Sequence, residues 1–461
     1  VKKISGYSNH IDFAKIPLTL QLVEKIKSRG GQIYLVGGAC RDLLLDRKPR
    51  DYDFAVSGFN YRDFGDLFPE ASRVGRSFPV IKYKGYDFIL LDEDFSGSGD
   101  STGREEVLPA EEDFKSRGYD VSSLEEDLKS RDFSINALAC ELPGGQIIDP
   151  TGGLNDLCQG LIRHLPGAFR SDPLRIYRAA RFAAELTEIK GGFKLADSTK
   201  NRMFQASTFL GKVAPERIFR ELRRVLRTEN PEIFFAVLYQ EGILKVHFPE
   251  LDVLSADSEN LLTFSLQALS CSTGITDREE VRFAVLVHAL GAGTGDHEND
   301  DGLSALEELC ARLRLPGDWK KAGRVAVKFF RKNQNWIQLP AAELLEFFHL
   351  ARRGPLGLKG LEQAVNSVYR AEQLVSGGAA EPSELGQKAK RAQQTGATGS
   401  SEWGPETGLA ELGSRLFCEV TAAEINDIQP GPALGHRLKC RRREWLKEEL
   451  QKIRQSSARE E

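Results

Sequence analysis

Two aspartates one residue apart, Asp51 and Asp53, open the run Asp51-Tyr52-Asp53-Phe54-Ala55-Val56. On a strand, alternate side chains share a face, so both carboxylates project together. Held that close they repel, and a divalent cation relieves the repulsion. Mg²⁺ prefers hard oxygen ligands and typically takes one or two carboxylates plus substrate phosphates. Two such ions about 4 Å apart can activate a hydroxyl and stabilise a departing pyrophosphate. Upstream lies Gly37-Gly38-Ala39-Cys40-Arg41-Asp42. Gly37 and Gly38 let backbone N–H groups approach a triphosphate, and Arg41 adds a cation. An isolated DxD pair arises often by chance, and an isolated GG is usually a turn. The ordered combination of strand, GG, Arg-Asp, DxD and strand is far more specific.

These side chains need a scaffold. Gln32-Ile33-Tyr34-Leu35-Val36 reads as a strand ended by Gly37-Gly38, and Asp51 to Val56 reads as a second. Val80 to Tyr83 and Asp87 to Leu91 read as a hairpin around Gly85. The Gly/Ser-rich stretch 92–123 between them and Asp132 reads as a mobile loop. From about residue 155 the pattern is helical. Ser171-Asp172-Pro173 marks a helix start, with Asp172 as cap and Pro173 in the first position. Residues 377–408, rich in Gly, Ala, Ser, Thr and Gln, read as a linker.

The bulk numbers set bounds. A length of 461 residues accommodates roughly three domains of ~150. No apolar stretch approaches the ~18 residues that span a bilayer, and no apolar segment follows the basic start, so neither membrane span nor signal peptide is expected. Seven scattered cysteines without a CxxC pair read as reduced thiols in a cytoplasmic protein. A net charge of −4 argues against general nucleic-acid stickiness. Ten acidic and three basic side chains fall within residues 92–120, however, which leaves the remainder slightly basic. Local patches must therefore decide whether RNA is a partner.

The string LVGGACRDLLLDRKPRDYDFAV resembles the signature of class II tRNA nucleotidyltransferases and bacterial poly(A) polymerases, within the DNA polymerase β superfamily. Four further segments resemble that family's later motifs, in order. The second runs from Asp127-Leu128-Lys129-Ser130-Arg131-Asp132 to Ala137. The third is Ile148-Asp149-Pro150-Thr151-Gly152-Gly153 with Asp156-Leu157. The fourth runs from Ser171-Asp172-Pro173 to Phe182, and the fifth from Pro215-Glu216-Arg217 to Leu222. Together they span residues 33–227.

The resemblance implies an α+β protein: a small α/β nucleotidyltransferase head with a polymerase β-like mixed sheet, then an elongated all-helical neck, body and tail. The expected divisions are head 1–155, neck 156–255, a degenerate HD-like body 256–376, linker 377–408, and a tRNA-contacting tail 409–461. It implies that Asp51 and Asp53 hold Mg²⁺, with Asp87 as the loosely matched third carboxylate. Arg131, Asp132 and Asn136 would contact the sugar and phosphates of the incoming nucleotide. Asp172 and Arg175 would act as a protein template for CTP or ATP. The residues make that role chemically sound: C and A both present an amino group to a carboxylate, whereas G and U present a carbonyl there. Positions 172, 175, 178 and 181 form a slanting polar stripe, along which Arg178 and Arg181 would clamp the triphosphate. Without the neighbouring motifs, a salt-bridged helix face would be the better reading.

The expected activity is addition of CCA, or part of it, to tRNA 3′ ends, with no membrane and no DNA partner. An enzyme adding only CC or only A, a poly(A) polymerase, and a non-catalytic RNA-binding protein are the alternatives. The arginine-rich segment 215–227 either supports the pocket, touches RNA or forms surface ion pairs. Ser130 and Ser171 depart from the family, which usually has Arg and Glu there. His288-Ala289 stands where an HD helix needs His-Asp, so His288 is read as a core residue. The stretch from Val420 through Gly435 resembles the tail of tRNA-specific members and leads into Lys439, Arg441, Arg442 and Arg443, a cluster suited to phosphates.

Overall fold

The computed structural model describes residues 10–74, 80–91, 124–189, 192–256, 260–291, 301–332, 336–376, 409–420 and 432–460. The acidic stretch 92–123, the linker 377–408 and tail positions 421–431 lie outside the described residues. The chain divides into two compact units. One comprises residues up to Ala179 together with Leu186–Thr208, the other Ala180–Glu185 together with Phe209 onward.

The first unit is built on a seven-stranded sheet. Its strands are β1 (Gln32–Val36), β2 (Asp53–Ser57), β3 (Ser72–Val74), β4 (Val80–Tyr83), β5 (Tyr86–Leu90), β6 (Ala139–Glu141) and β7 (Ile147–Ile148), in the order β3-β4-β5-β2-β1-β6-β7. β2 and β5 run parallel and all other neighbours antiparallel, giving the mixed sheet expected. The β4–β5 turn uses Lys84 and Gly85, both at positive φ (50° and 83°), as a two-residue hairpin matching strand twist requires. Helices α1 (Leu20–Lys27), α2 (Gly38–Leu44), α3 (Tyr61–Leu67), α4 (Leu124–Ser130), α5 (Gly153–Gln159), α6 (Ala168–Ser171), α7 (Arg175–Leu186) and α8 (Asp197–Ala206) complete this part of the chain. Tyr34, Val36, Ala55 and Ala139 from one sheet face join Leu128 of α4 in a small core.

Two boundaries differ from the sequence reading. β2 begins at Asp53, leaving Asp51 just before the strand, because the last β1 residue, Val36, is the partner of Asp53. Beyond Val36 the chain turns at Gly37, so Asp51 has no β1 ladder to join. α7 begins at Arg175. Asp172 still caps the segment, its Oδ1 accepting the Leu174 N–H at 3.1 Å, while Arg175 N–H bonds Asp172 O at 3.1 Å in a tight preceding turn. The first unit also continues past residue 155. Ser134 N–H bonds Arg163 O, Leu165 N–H bonds Asp132 O, and the short parallel pair β8 (Leu161–Ile162) and β9 (Lys194–Leu195) ties in the α8 region.

Every element of the second unit's described residues beyond Phe209 is helical: α9 (Pro215–Leu226), α10 (Pro231–Gln240), α11 (Pro249–Val253), α12 (Leu261–Ser272), α13 (Glu279–Val287), α14 (Asp301–Arg312), α15 (Gly317–Lys332), α16 (Ala341–Arg353), α17 (Gly357–Ser376), α18 (Leu409–Glu419) and α19 (Pro432–Glu460), with short 3₁₀ turns between. α15 to α19 enclose Trp336, Phe329, Phe348, Leu412 and Leu446, all fully buried. Each such side chain contributes roughly 2–3 kcal/mol of burial. His288, just after α13, is a core residue as read. Its Nδ1 donates to Val285 O at 2.6 Å, and Phe264 and Phe330 meet its ring edge-on. All seven cysteines are free thiols. Among the described residues no helix is long and apolar enough to cross a membrane.

Candidate active site

Strand pairing draws one line of residues across the sheet: Lys82 on β4, Asp87 on β5, Asp53 on β2, Val36 on β1 and Ala139 on β6. Directly paired residues share a face. Asp53 and Asp87 therefore stand side by side, although they are 34 positions apart in sequence. Lys82 Nζ reaches Asp87 Oδ1 at 2.6 Å. Burial raises the Asp53 pKa, the charges of Asp87 and Asp51 raise it further, and Arg131 and Lys82 pull against them. The carboxyl thus lies in a field with too little positive charge, which a cation would correct. Among the described residues no three His, Cys, Asp or Glu side chains converge as a metal cage. Mg²⁺ does not require one, since one or two carboxylates suffice when phosphates supply the remaining oxygens. The donor set fits that ion.

Next to this line, β1 passes into α2 through Gly37. Its backbone (φ 77°, ψ −138°) lies where essentially only glycine goes. Its N–H donates to Leu138 O at 3.0 Å. A Cβ here would lie 2.5 Å from Arg131 Nη1, so the guanidinium rests directly against the turn. Gly38 differs. It begins α2, and a Cβ there would meet Arg41 Nη2 at an ordinary 3.6 Å.

A polar chain links four of the expected site residues. Arg41, 6% exposed, donates from Nη1 to Asn136 Oδ1 at 2.7 Å and from Nε to Asp42 Oδ1 at 2.9 Å. Asn136 Nδ2 donates to Asp132 Oδ1 at 3.0 Å, and Arg178 Nε donates to Asp132 Oδ2 at 2.7 Å. Burial pushes the Asp132 carboxyl up, but Arg178, Asn136 and Arg175 outweigh it and hold the pKa below its usual value. Charge-assisted bonds of this kind are worth about 1.5–3 kcal/mol each. Asp132 and Asn136 are buried and bonded to protein partners.

Arg175 is oriented by main chain. Its Nη2 donates to Ser130 O at 3.1 Å, and its Nη1 to Arg131 O at 3.3 Å and Ser171 Oγ at 3.2 Å. Arg178 and Arg175 therefore both meet the segment 130–132. Arg181 does not join them. Its guanidinium, 5% exposed, pairs with Glu185 and Glu221, each at 2.7 Å. The structure brings Arg181 to these carboxylates and not to the Asp132 carboxyl that Arg178 meets. At 100° per residue, Arg181 lies about 120° round the helix from Arg175, so the stripe drifts off the face. Three arginines of segment 215–227 are likewise engaged. Arg223 and Arg227 pair with Glu279, Arg224 with Glu221, and Glu216 holds Arg314.

Three residues to which the sequence reading gave no role contribute: Asp42 on Arg41, Lys82 on Asp87, and Asp127, whose Oδ2 takes Arg131 Nε and Nη2 at 3.1 and 2.7 Å. The Asp127–Arg131 spacing of four on a short helix was the available signal. Far from these in sequence, α16, α18 and α19 carry a basic cluster. Arg352 and Arg442 lie over the Phe417 ring at 4.3 and 4.7 Å, and His349 meets it edge-on at 5.2 Å. Burial, then Arg442, Arg353, Lys439 and Arg352, lower the His349 pKa. Among the described residues no carboxylate pairs with Arg352, Arg353, Lys439 or Arg443.

Residues 33–163 match the family model described as Poly A polymerase head domain. Residues 192–254 match the one described as probable RNA and SrmB-binding site of polymerase A. The fold resembles that of the Bacillus stearothermophilus CCA-adding enzyme in complex with CTP, at 23% identity, covering 96% of this chain and 97% of that one, with a TM-score of 0.58. A Thermotoga maritima CCA-adding enzyme complexed with tRNA is similar at 20% identity, with 96% and 98% coverage and a TM-score of 0.56. A CCA-adding enzyme with ATP is similar at 20% identity, with 92% and 88% coverage and a TM-score of 0.58. At these identities the likeness is one of fold.

Proposed function

We propose that this chain, matched by poly(A) polymerase family models over residues 33–163 and 192–254, adds CCA, or part of it, to tRNA 3′ ends from CTP and ATP. The observation that carries the reading is the placement of Asp53 and Asp87 side by side, with Asp51 adding its charge, next to the Gly37 turn and Arg131.

The RNA 3′-hydroxyl attacks the α-phosphorus of the nucleotide in line, and pyrophosphate leaves. Asp51 and Asp53, with Asp87 beside them, would hold Mg²⁺. That ion supplies charge stabilisation for the phosphates and increased acidity for the hydroxyl. The remaining work is positioning and charge stabilisation. The Gly37–Gly38 backbone and Arg131 receive the triphosphate. Asp132, Asn136, Arg41 and Arg178 keep that turn rigid. Asp172 accepts from the amino group of cytosine or adenine, and Arg175, steadied by the carbonyls of residues 130 and 131, donates to the adjacent ring nitrogen. The basic cluster around Phe417 meets RNA phosphates.

The test uses Mg²⁺, labelled CTP or ATP, and tRNAs ending before CCA, after C and after CC. Completion of CCA on the shortest tRNA is the expected result. Extension of the CC-ended tRNA alone would make the protein an A-adder, and addition of CC without the final A a CC-adder. Long A tracts would make it a poly(A) polymerase. Incorporation in no lane, with RNA still bound, would leave a binding protein. Asp51→Ala should abolish incorporation with little change in tRNA affinity, and retained turnover would refute the metal role.

A further inference from the structure

Asp127 has no role in the reading so far, yet its geometry is specific. It lies on α4, and its side chain is 13% exposed. Its Oδ2 accepts from both Nε and Nη2 of Arg131, at 3.1 and 2.7 Å. Two of the three guanidinium nitrogens are thereby fixed on one side. The third, Nη1, is turned onto Gly37, where only the missing Cβ leaves it room. Among the described residues Nη1 has no acceptor. A planar guanidinium held along one edge presents the opposite nitrogen in a defined direction, which a lysine could not do. The Arg131 charge also reaches Asp53. The available N–H groups thus face the turn beside the carboxylates.

We propose that Asp127 is a positioning residue: by gripping one edge of Arg131 it aims Nη1 at a phosphate oxygen of the incoming nucleoside triphosphate. This rests on the proposed nucleotidyl transfer. Asp127 does not touch the nucleotide and acts through Arg131. Without it the arginine keeps its charge but samples many rotamers, and the entropy of fixing it falls on nucleotide binding.

The experiment is a double-mutant cycle on the full chain with Asp127→Ala, Arg131→Ala and both, read in two ways. The first readout is binding of a non-hydrolysable ATP or CTP analogue with Mg²⁺, by calorimetry. The second is steady-state incorporation, separated into KM and kcat. Asp127→Ala should weaken analogue binding and raise the nucleotide KM about five- to tenfold, with a smaller change in kcat and unchanged RNA affinity. In the Arg131→Ala background it should have no further effect, and Asp127→Glu should restore part of the loss. Equal fold losses in both backgrounds, or unchanged binding in Asp127→Ala, would overturn the proposal. Asp127→Asn keeps an acceptor in place if the alanine variant does not fold. Loss of the fold in both would make the pair a structural brace and also overturn it. If the unmodified protein bound no analogue at all, the nucleotidyl-transfer reading itself would fail, a result distinct from wild-type binding that the variants leave unchanged.

Discussion

The two adjacent glycines separate backbone strain from phosphate access, and substituting each with alanine tests that separation. At Gly37 an alanine must adopt φ 77° and ψ −138°, and its Cβ arrives 2.5 Å from Arg131 Nη1. The backbone conformation costs about 1–3 kcal/mol for a non-glycine residue. The guanidinium cannot simply swing aside, because Asp127 holds its other edge. Breaking that half-buried pair adds up to about 1 kcal/mol. Gly37→Ala should therefore destabilise the first unit by roughly 1–4 kcal/mol, a midpoint drop on the order of 2–16 °C for a unit of ~200 residues. It should also raise the nucleotide KM. At Gly38 the backbone is helical and the new methyl meets only an ordinary 3.6 Å contact. Gly38→Ala should leave thermal stability unchanged or slightly higher, since alanine is the better helix former by up to about 1 kcal/mol. If a phosphate approaches the Gly38 backbone, however, KM should still rise. Urea and thermal unfolding, with incorporation kinetics on the same preparations, provide the readouts. A Gly37→Ala protein as stable and as active as the parent would refute the reasoning, as would equal destabilisation by both substitutions.

Two further outcomes follow from the second unit. Burial lowers the His288 pKa from 6.5 to about 4, so in that window the unfolded chain binds a proton that the folded chain does not. Its contribution is present above pH 6.5 and lost as pH falls toward 4. Between pH 7.5 and 5 the parent should lose about 2 kcal/mol that His288→Leu does not lose, as measured by urea unfolding at the two pH values. Identical pH slopes would show that His288 is not the buried neutral group described. For the Phe417 cluster, replacing Arg352 and Lys439 together with alanine should weaken tRNA binding at low salt. It should also flatten the plot of log affinity against log salt by up to about 2. Filter binding across a salt series measures this, and an unchanged slope would remove these two residues from the RNA contact.

How much of this was legible in the sequence varied with how local each determinant is. β1 was readable to the residue because Ile33 to Val36 is a continuous buried run bounded by a glycine turn. The hairpin was readable because Lys84-Gly85 supplies a turn between two apolar runs. β3, β6 and β7, of two or three residues, were not, since strands that short show no period. The start of β2 was misjudged because it depends on where β1 runs out, a pairing that alternation within residues 51–56 does not encode. The Asp53–Asp87 neighbourhood depends likewise on the parallel pairing of β2 with β5, which β3 and β4 separate in sequence. Arg181 was grouped with Arg175 and Arg178 on spacing alone, but Glu221, 40 positions away, holds it elsewhere. Sequence reading registers which side chains are charged. Whether a charge is already answered by another depends on partners remote in the chain.

The hold on Arg175 bears on Ser130 and Ser171, where the family that the sequence resembles usually has Arg and Glu. The guanidinium grips the carbonyl oxygens of Ser130 and Arg131, and from the side chains it draws only on Ser171. A carbonyl is present whatever amino acid carries it, so position 130 is free to drift between arginine, serine and other residues without loosening this handhold. The carbonyl part of this anchor tolerates mutation at residues 130 and 131 while penalising any change in the path of the chain. Selection would accordingly act there on backbone shape, and turnover of side-chain identity beside Arg175 is what that arrangement permits.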